Sequence, residues 1–240
     1  MEDKSEPDMK VALKENLESL KESFLETPSM EYLLQIVATY HGLEMTERGI
    51  GFAEAILMQI EDEKERLLQS SMIFEMVDLN DDALSCLTEA MEKYPEDVQV
   101  KNHHGMLLNK SSKFEDALSI YERLLETSPQ SLESLSGKLI ALIGIGRHGD
   151  VLKLYKTSIA ITPSSPQDWH FKGVIDGLLM DYFEHEKGKS ITEGQADKLS
   201  KSFDSISHIM DGLGPEVSNF YMMGNFAGKE IYHEMLEYKK

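Results

Sequence analysis

The chain has 240 residues, 41% of them hydrophobic, and a formal net charge of −19 at pH 7. A chain this acidic disfavours nucleic-acid backbones and anionic lipid surfaces, and it suits basic or neutral partners or serves solubility alone. The single cysteine, Cys86, excludes an intrachain disulfide, and no apolar run approaches the roughly 20 residues that span a bilayer. Because the charged N-terminus is unlike a signal peptide, we expect a cytoplasmic protein that does not bind membranes.

The first helical pattern follows a charged segment. Residues 1–8 have the composition of a disordered acidic lead-in, and Met9–Leu25 is predicted to form a helix. Its apolar residues share one face: Leu13, Leu17, Leu20 and Phe24. This stripe either packs on the helices that follow or forms the seam of a homo-oligomer.

A degenerate helix pair comes next. Glu31–Tyr40 and Phe52–Ile60 are predicted helices, and Thr46–Gly49 is predicted as the connection between them. Residues 1–63 hold 5 bases and 15 acids, a net charge of −10. The acidity is therefore concentrated ahead of the regular part of the chain.

The centre of the chain repeats every 34 residues. Pro95, Pro129 and Pro163 mark the period, and equivalent small and apolar residues precede each proline at equal distances: Ala83, Ala117 and Val151, then Leu87, Tyr121 and Tyr155. Such a period indicates stacked helix pairs, each ended by a proline that cannot continue a helix. The predicted pairs are Lys64–Val77 with Asp81–Lys93, Val98–Lys110 with Lys113–Glu126, and Leu132–Ile145 with Gly149–Ile161.

A fourth unit begins at Pro166 and departs from the period. Its first helix is predicted to reach about His185, followed by a polar loop over 186–194 and a second helix over Gln195–Met210. A last helix, Glu216–Tyr238, would cap the array. The chain thus divides into five segments: 1–28, an acidic lead-in and helix; 29–63, the degenerate pair; 64–163, three regular repeats; 164–214, a fourth repeat with an insertion; and 215–240, a capping helix.

The spaced residues resemble the tetratricopeptide repeat family. The match is best at Gly105, Leu108, Ala117, Tyr121 and Pro129. The unit before it matches at Leu67, Phe74, Ala83, Ala90 and Pro95, and the unit after it at Leu135, Leu142, Gly146, Tyr155 and Pro163. The resemblance is clear over residues 64–173 and looser over about 29–240. It implies an all-α, right-handed α-solenoid of stacked antiparallel helix pairs whose first helices line a concave groove.

The resemblance also assigns groove positions by spacing. They are Glu65, Leu68, Met72, Glu75, Gln99, Asn102, Met106, Asn109, Glu133, Ser136, Ile140, Ile143, Gln167, His170 and Val174. Family members that hold acidic chaperone C-termini use a clamp of lysine, arginine and asparagine, whereas Met72, His103, Glu133 and Gly137 stand near those positions here. The strip therefore favours a neutral, apolar or basic peptide, or a partner helix with an apolar face.

Three features that could indicate chemistry have simpler interpretations. Gly144–Gly149 reads G-x-G-x-x-G, but the residues before it are helical, and Gly146 suits the turn between paired helices. His103 and His104 are adjacent on a helix and point in different directions, which is unsuited to one metal ion. Since no base is placed beside Cys86, a packed or partly exposed thiol is expected there. We expect no cofactor, no metal and no catalytic residue.

The leading hypothesis is a protein-binding scaffold or adaptor that is not an enzyme and holds a peptide or partner helix in its groove. The alternative is a homo-oligomer formed through the terminal helices, using the Leu13 stripe or the apolar residues Phe220–Met223. A non-catalytic subunit of an enzyme complex ranks below these. An active site in 186–194 has no nucleophile–base pair to support it, and nucleic-acid binding has no basic stripe.

Overall fold

The computed structural model describes residues 5–189, 191–192, 194 and 214–237, and only the backbone of residues 5–8. The helices of the described chain are α1 Ser5–Glu26, α2 Met30–Gly42, α3 Thr46–Leu57, α4 Glu63–Met76, α5 Asn80–Lys93, α6 Val98–Lys110, α7 Phe114–Thr127, α8 Leu132–Ile145, α9 His148–Ser158, α10 Pro166–Glu186 and α11 Pro215–Glu237. Met1–Leu107 and Leu108–Lys240 form two compact units, with the boundary inside α6.

The first unit begins with α1 packed on α2 and α2 packed on α3. Leu17 and Phe24 are buried in the core of this unit, Leu13 and Leu20 are half-buried against it, and the Phe24 ring meets Phe52 edge-on. The apolar stripe of α1 therefore packs within the chain, which is the first of the two uses that its spacing left open.

Two N-terminal predictions were wrong. Ser5–Asp8 are helical rather than part of a disordered lead-in, and Thr46–Gly49 begins α3 instead of connecting two helices. The turn between α2 and α3 is made earlier, where Glu44 adopts a left-handed φ of 61°. Gly49 lies against Tyr40, and an added Cβ would stand 2.8 Å from the Tyr40 Cβ. The buried face of α3 therefore begins with a glycine. A prediction from apolar side chains alone misses this residue and starts the helix too late.

The pair α4 and α5 follows the predicted period closely. Asp62 begins α4 by accepting the Glu65 backbone N–H at 3.1 Å, and Asp78 makes the turn with a φ of 60°. On α5, residues three and four apart are completely buried: Ala83, Leu87 and Ala90. Small residues at this spacing let the paired helices approach, as the repeat predicted.

In the second unit, α7 packs on α8 in the same manner. Ala117, Tyr121 and Leu124 of α7 are buried, and Gly137 of α8 leaves the space that the Tyr121 ring occupies. α8 ends at Gly146, whose φ of 81° is left-handed and therefore favours glycine. The G-x-G-x-x-G stretch is thus a helix end and a turn, and Gly144 packs on the Phe114 ring.

The fourth repeat is described in part. α10 starts with a capping box, in which Ser165 accepts the Asp168 N–H and Asp168 accepts from the Ser165 backbone. It ends at Glu186, as predicted, while the predicted helix Gln195–Met210 lies outside the described residues. α9 ends at Ser158, three residues before its predicted end. Among the described helices, none is long and apolar enough to cross a bilayer.

Candidate interaction surfaces

The predicted groove strip of the first unit lies on α4 and α6. Glu75 Oε2 stands 3.7 Å from His103 Nε2, and this contact joins the two helices. Met72 lies one turn before Glu75 and is half-buried, while Met106 lies one turn after His103 and is 48% exposed. The strip therefore offers two flexible thioethers beside one acid–histidine pair, which suits an apolar or basic ligand.

The strip of the second unit lies on the end of α6 and on α8 and α10. Asn109 Nδ2 donates to the Gly137 carbonyl at 2.9 Å, which ties α6 to α8. Glu133, Ile140 and His170 are half-buried and can meet a ligand. This strip is again mostly apolar or neutral, with one acid.

Burial separates the fifteen groove candidates into two groups. Nine are at least partly exposed: Glu65, Met72, Glu75, Gln99, Met106, Glu133, Ile140, Gln167 and His170. Six are buried: Leu68, Asn102, Asn109, Ser136, Ile143 and Val174. Spacing along a helix gives the direction of a side chain but not the bulk of its neighbours, so the buried six are covered by neighbouring groups in this conformation.

A second feature, between α10 and α11, was not predicted from the sequence. Two glycines on each helix face the backbone of the other: Gly173 and Gly177 on α10, Gly224 and Gly228 on α11. A Cβ added at any of them would come closer than 3.0 Å to a backbone carbonyl oxygen of the partner helix, a separation that real Cβ atoms essentially never show. The signal is present in the sequence as two glycine pairs spaced by four, which allow helices to touch.

The two helices run in the same direction along this contact. His170 faces Gly224, Val174 faces Gly228, and Tyr182 meets Tyr232 edge-on, so contacts on both helices advance together. Farther along, Asp181 Oδ2 lies 3.1 Å from His233 Nε2. The contact therefore extends over several turns and fixes both the register and the rotation of α11.

A buried ion pair stands beside the glycine contact. Lys172 Nζ donates to Asp176 Oδ1 at 2.5 Å, and the Tyr221 hydroxyl donates to Asp176 Oδ2 at 3.1 Å. Burial raises the pKa of Asp176, while the Lys172 ammonium and the Tyr221 hydroxyl act in the opposite direction. Burial also raises the pKa of Tyr221, so this hydroxyl stays a donor. The network links α11 to α10 at a specific turn.

The opposite side of α11 is exposed and apolar over its first half. Met222, Met223 and Phe226 project there, and Phe220, one turn before Gly224, is exposed at the edge of this side. The sequence had indicated Phe220–Met223 as an apolar run, but Tyr221 turns inward against Trp169, and Phe226 was missed. We call these four residues the α11 apolar face.

Residues that could support catalysis or metal binding are not assembled into a site among the residues that the structure describes. Cys86 is half-buried, and burial raises the pKa of its thiol, which lowers its reactivity. No group of three histidine, cysteine, aspartate or glutamate residues that could hold a metal ion occurs among the residues described. The features of the described residues that suggest a function are therefore surfaces.

Comparisons with known proteins address the fold. No family model matches the chain. It is 25% identical over 91 residues to ER membrane protein complex subunit 2 of Xenopus tropicalis and equally to subunit 2-A of Xenopus laevis. The match covers 38% of this chain and 31% of each relative, so the chain spans about a third of their length.

Two solved structures extend the comparison. A tetratricopeptide repeat protein from Parabacteroides merdae superposes with a TM-score of 0.50 at 14% identity, over 91% of this chain and 80% of that one. A MamA RS-1 double mutant superposes with a TM-score of 0.50 at 12% identity, over 77% of this chain and 97% of that one. The chain has the tetratricopeptide-like helical repeat fold.

Proposed function

We propose that this chain is a protein-interaction scaffold without chemistry of its own, and that it binds a peptide or partner helix on the groove strips. The fold supports the general proposal, since stacked helix pairs present extended surfaces to partners. The observation that carries the specific proposal is the partly exposed strip of the first unit, where Met72 and Met106 flank the Glu75–His103 pair. Flexible thioethers beside an acid suit apolar or basic segments.

Substitutions on this strip test the proposal. We expect Met72→Lys with Met106→Lys to reduce the yield of partners captured by the tagged chain at least tenfold, which corresponds to about 1.4 kcal/mol of binding free energy. Met58→Lys is the control for an added charge, because Met58 is 79% exposed, directly follows α3 and is not one of the strip residues. If the double variant captures the same partners in the same amounts as the control, the strip is not the binding surface.

A second candidate is a subunit of a larger assembly, in line with the name of the curated relatives. Their name describes a subunit of an ER membrane protein complex, and the shared stretch is 91 residues long. We propose that this chain is a non-catalytic subunit that meets its complex from the cytoplasm. The tagged chain should then migrate far above its 27.2 kDa mass in native gels of detergent extracts. Migration as a monomer in those extracts would argue against it.

Homo-oligomerisation is less well supported than groove binding or membership of a larger assembly. The Leu13 stripe packs within the first unit, so of the two apolar groups that the sequence offered for self-association, the one on α11 is exposed. Sedimentation equilibrium of the purified chain distinguishes a monomer from a dimer directly.

A further inference from the structure

The α11 apolar face forms one continuous surface on a single helix. Met222, Met223 and Phe226 are 60%, 65% and 64% exposed, and Phe220 is 38% exposed. Phe220, Met223 and Phe226 are spaced by three, and Met222 lies four residues before Phe226, so each side chain neighbours the next on the helix surface. Large apolar side chains clustered in this way on a protein surface mark interaction sites.

The helix cannot turn this face inward. Gly224 and Gly228 hold the opposite side of α11 against the backbone of α10, and Tyr221 is fixed by its hydrogen bond to Asp176. Rotation would drive larger side chains into a contact that admits only glycine. The packing of α11 therefore holds Met222, Met223 and Phe226 on the side of the helix away from α10.

Charge around the face indicates the kind of occupant. Four exposed acids lie on the same helix, Glu216 before the face and Glu230, Glu234 and Glu237 after it, against the half-buried Lys229 and the exposed His233, which lies beside Asp181 of α10. A second copy of α11 would bring acids opposite acids in either orientation, and an anionic lipid surface would be repelled. An occupant with lysines or arginines flanking its apolar residues meets complementary charge.

We propose that the α11 apolar face docks an amphipathic helix of another protein, whose apolar residues are flanked by lysine or arginine. Phe226 and Met223 pack into the apolar side of that helix, and Glu230 and Glu234 pair with its basic flank. Such helices bind through residues at spacings of three and four, the same spacing that the face presents. The α11 apolar face shares no residue with the groove strips.

Three synthetic helical peptides of about 20 residues, long enough to form a helix in water, provide the test. The first has leucines on one face and lysines on both flanks, the second has glutamates on the flanks, and the third has serines in place of the leucines. Binding of each labelled peptide to the full chain is measured by fluorescence anisotropy at low and high salt. We expect the lysine-flanked peptide to bind at least tenfold more tightly than the other two, and less tightly at high salt.

Phe226→Glu should weaken binding of the lysine-flanked peptide at least tenfold, while Met58→Glu, at a residue that is 79% exposed directly after α3, should leave it unchanged. Failure of that peptide to bind, equal binding of the glutamate-flanked peptide, or no effect of Phe226→Glu would overturn the proposal. A dimer that Phe226→Glu dissociates would identify a second copy as the occupant instead. A fall in melting temperature for Phe226→Glu well beyond that for Met58→Glu would show that the chain itself covers the face.

The groove variant Met72→Lys with Met106→Lys should bind the peptide normally, which keeps this test separate from that of the groove.

Discussion

Replacing Gly177 with alanine tests whether the backbones of α10 and α11 touch. The new Cβ would lie closer than 3.0 Å to the Asn225 carbonyl oxygen. Because that oxygen belongs to the backbone of a helix, it cannot move aside alone, and α11 as a whole must retreat. The retreat would also loosen the contacts at Gly173, Gly224 and Gly228.

Two opposing effects set the size of the change. Overpacking a close contact typically costs about 1–3 kcal/mol. Alanine in a helix interior regains about 1 kcal/mol relative to glycine. Since Gly177 faces backbone rather than a flexible side chain, we expect the upper part of the range and a net loss of about 2 kcal/mol.

The control is Gly51→Ala on α3. Gly51 is exposed within a helix, and an added Cβ would meet nothing within 4 Å. This substitution should stabilise the chain by about 0.5–1 kcal/mol. Urea unfolding followed by circular dichroism gives the free energies of unfolding, and amide hydrogen exchange shows whether protection is lost in α10 and α11 rather than in α4 and α5. If Gly177→Ala stabilised the chain as Gly51→Ala does, with unchanged protection of α11, the backbone contact would not exist.

Three further substitutions test other contacts, each by urea unfolding. Gly137→Ala should cost about 1–3 kcal/mol by clashing with the buried Tyr121 ring, and Tyr121→Leu should remove most of that cost in the double variant; additive effects would contradict the contact. Asp176→Asn should cost about 3–5 kcal/mol because it leaves Lys172 buried without its counter-charge, whereas Lys172→Met with Asp176→Leu and Tyr221→Phe should be nearly neutral; a large loss in the triple variant would refute this account. Asp97 accepts hydrogen bonds from the Lys64 ammonium and from the Val100 backbone N–H. The Lys64 hydrogen bond holds the pKa of Asp97 in the folded chain below its usual value. The stability that this ion pair contributes is therefore fully present above the usual carboxyl pKa of about 4 and is lost as the pH falls through the lower pKa of the folded chain. The wild type should therefore exceed Asp97→Asn, which keeps the helix cap, by a few tenths of a kcal/mol at neutral pH and by nothing near pH 2, and a difference that does not change with pH would contradict this.

The regular helices could be predicted from the sequence because local signals agree with the 34-residue period. α6 and α8 begin and end at the predicted residues, and α4 and α5 each begin one residue before their predictions. Prolines after the second helices, the left-handed glycine at Gly146 and the cap at Asp62 all act within a few residues of the helix ends that they define. Signals of this kind can be recognised in the sequence without knowing which elements pack against the helix.

The surfaces could be predicted only in part, because burial depends on what lies across from a residue. Asn109 has the spacing of a groove residue, yet its amide is used to bind Gly137 on the adjacent helix. Gly49 and Gly177 interrupt the apolar pattern of their helices, although each marks a place where another element comes close. Glycines in a helical pattern are therefore read more usefully as contact points than as breaks.

The glycine contact and the α11 apolar face can be separated experimentally, because they lie on opposite sides of one helix. Gly177→Ala shifts α11 but leaves Met222, Met223 and Phe226 on the same helix with the same mutual spacing. If the docked helix is held by α11 alone, its affinity should stay within about threefold of the wild type, less than 1 kcal/mol, even as the chain loses stability. A tenfold loss of affinity would show that the docking surface includes α10, where Met180 is also partly exposed. Peptide binding by Gly177→Ala, measured where the variant is still folded, therefore tells whether the site is one helix or two.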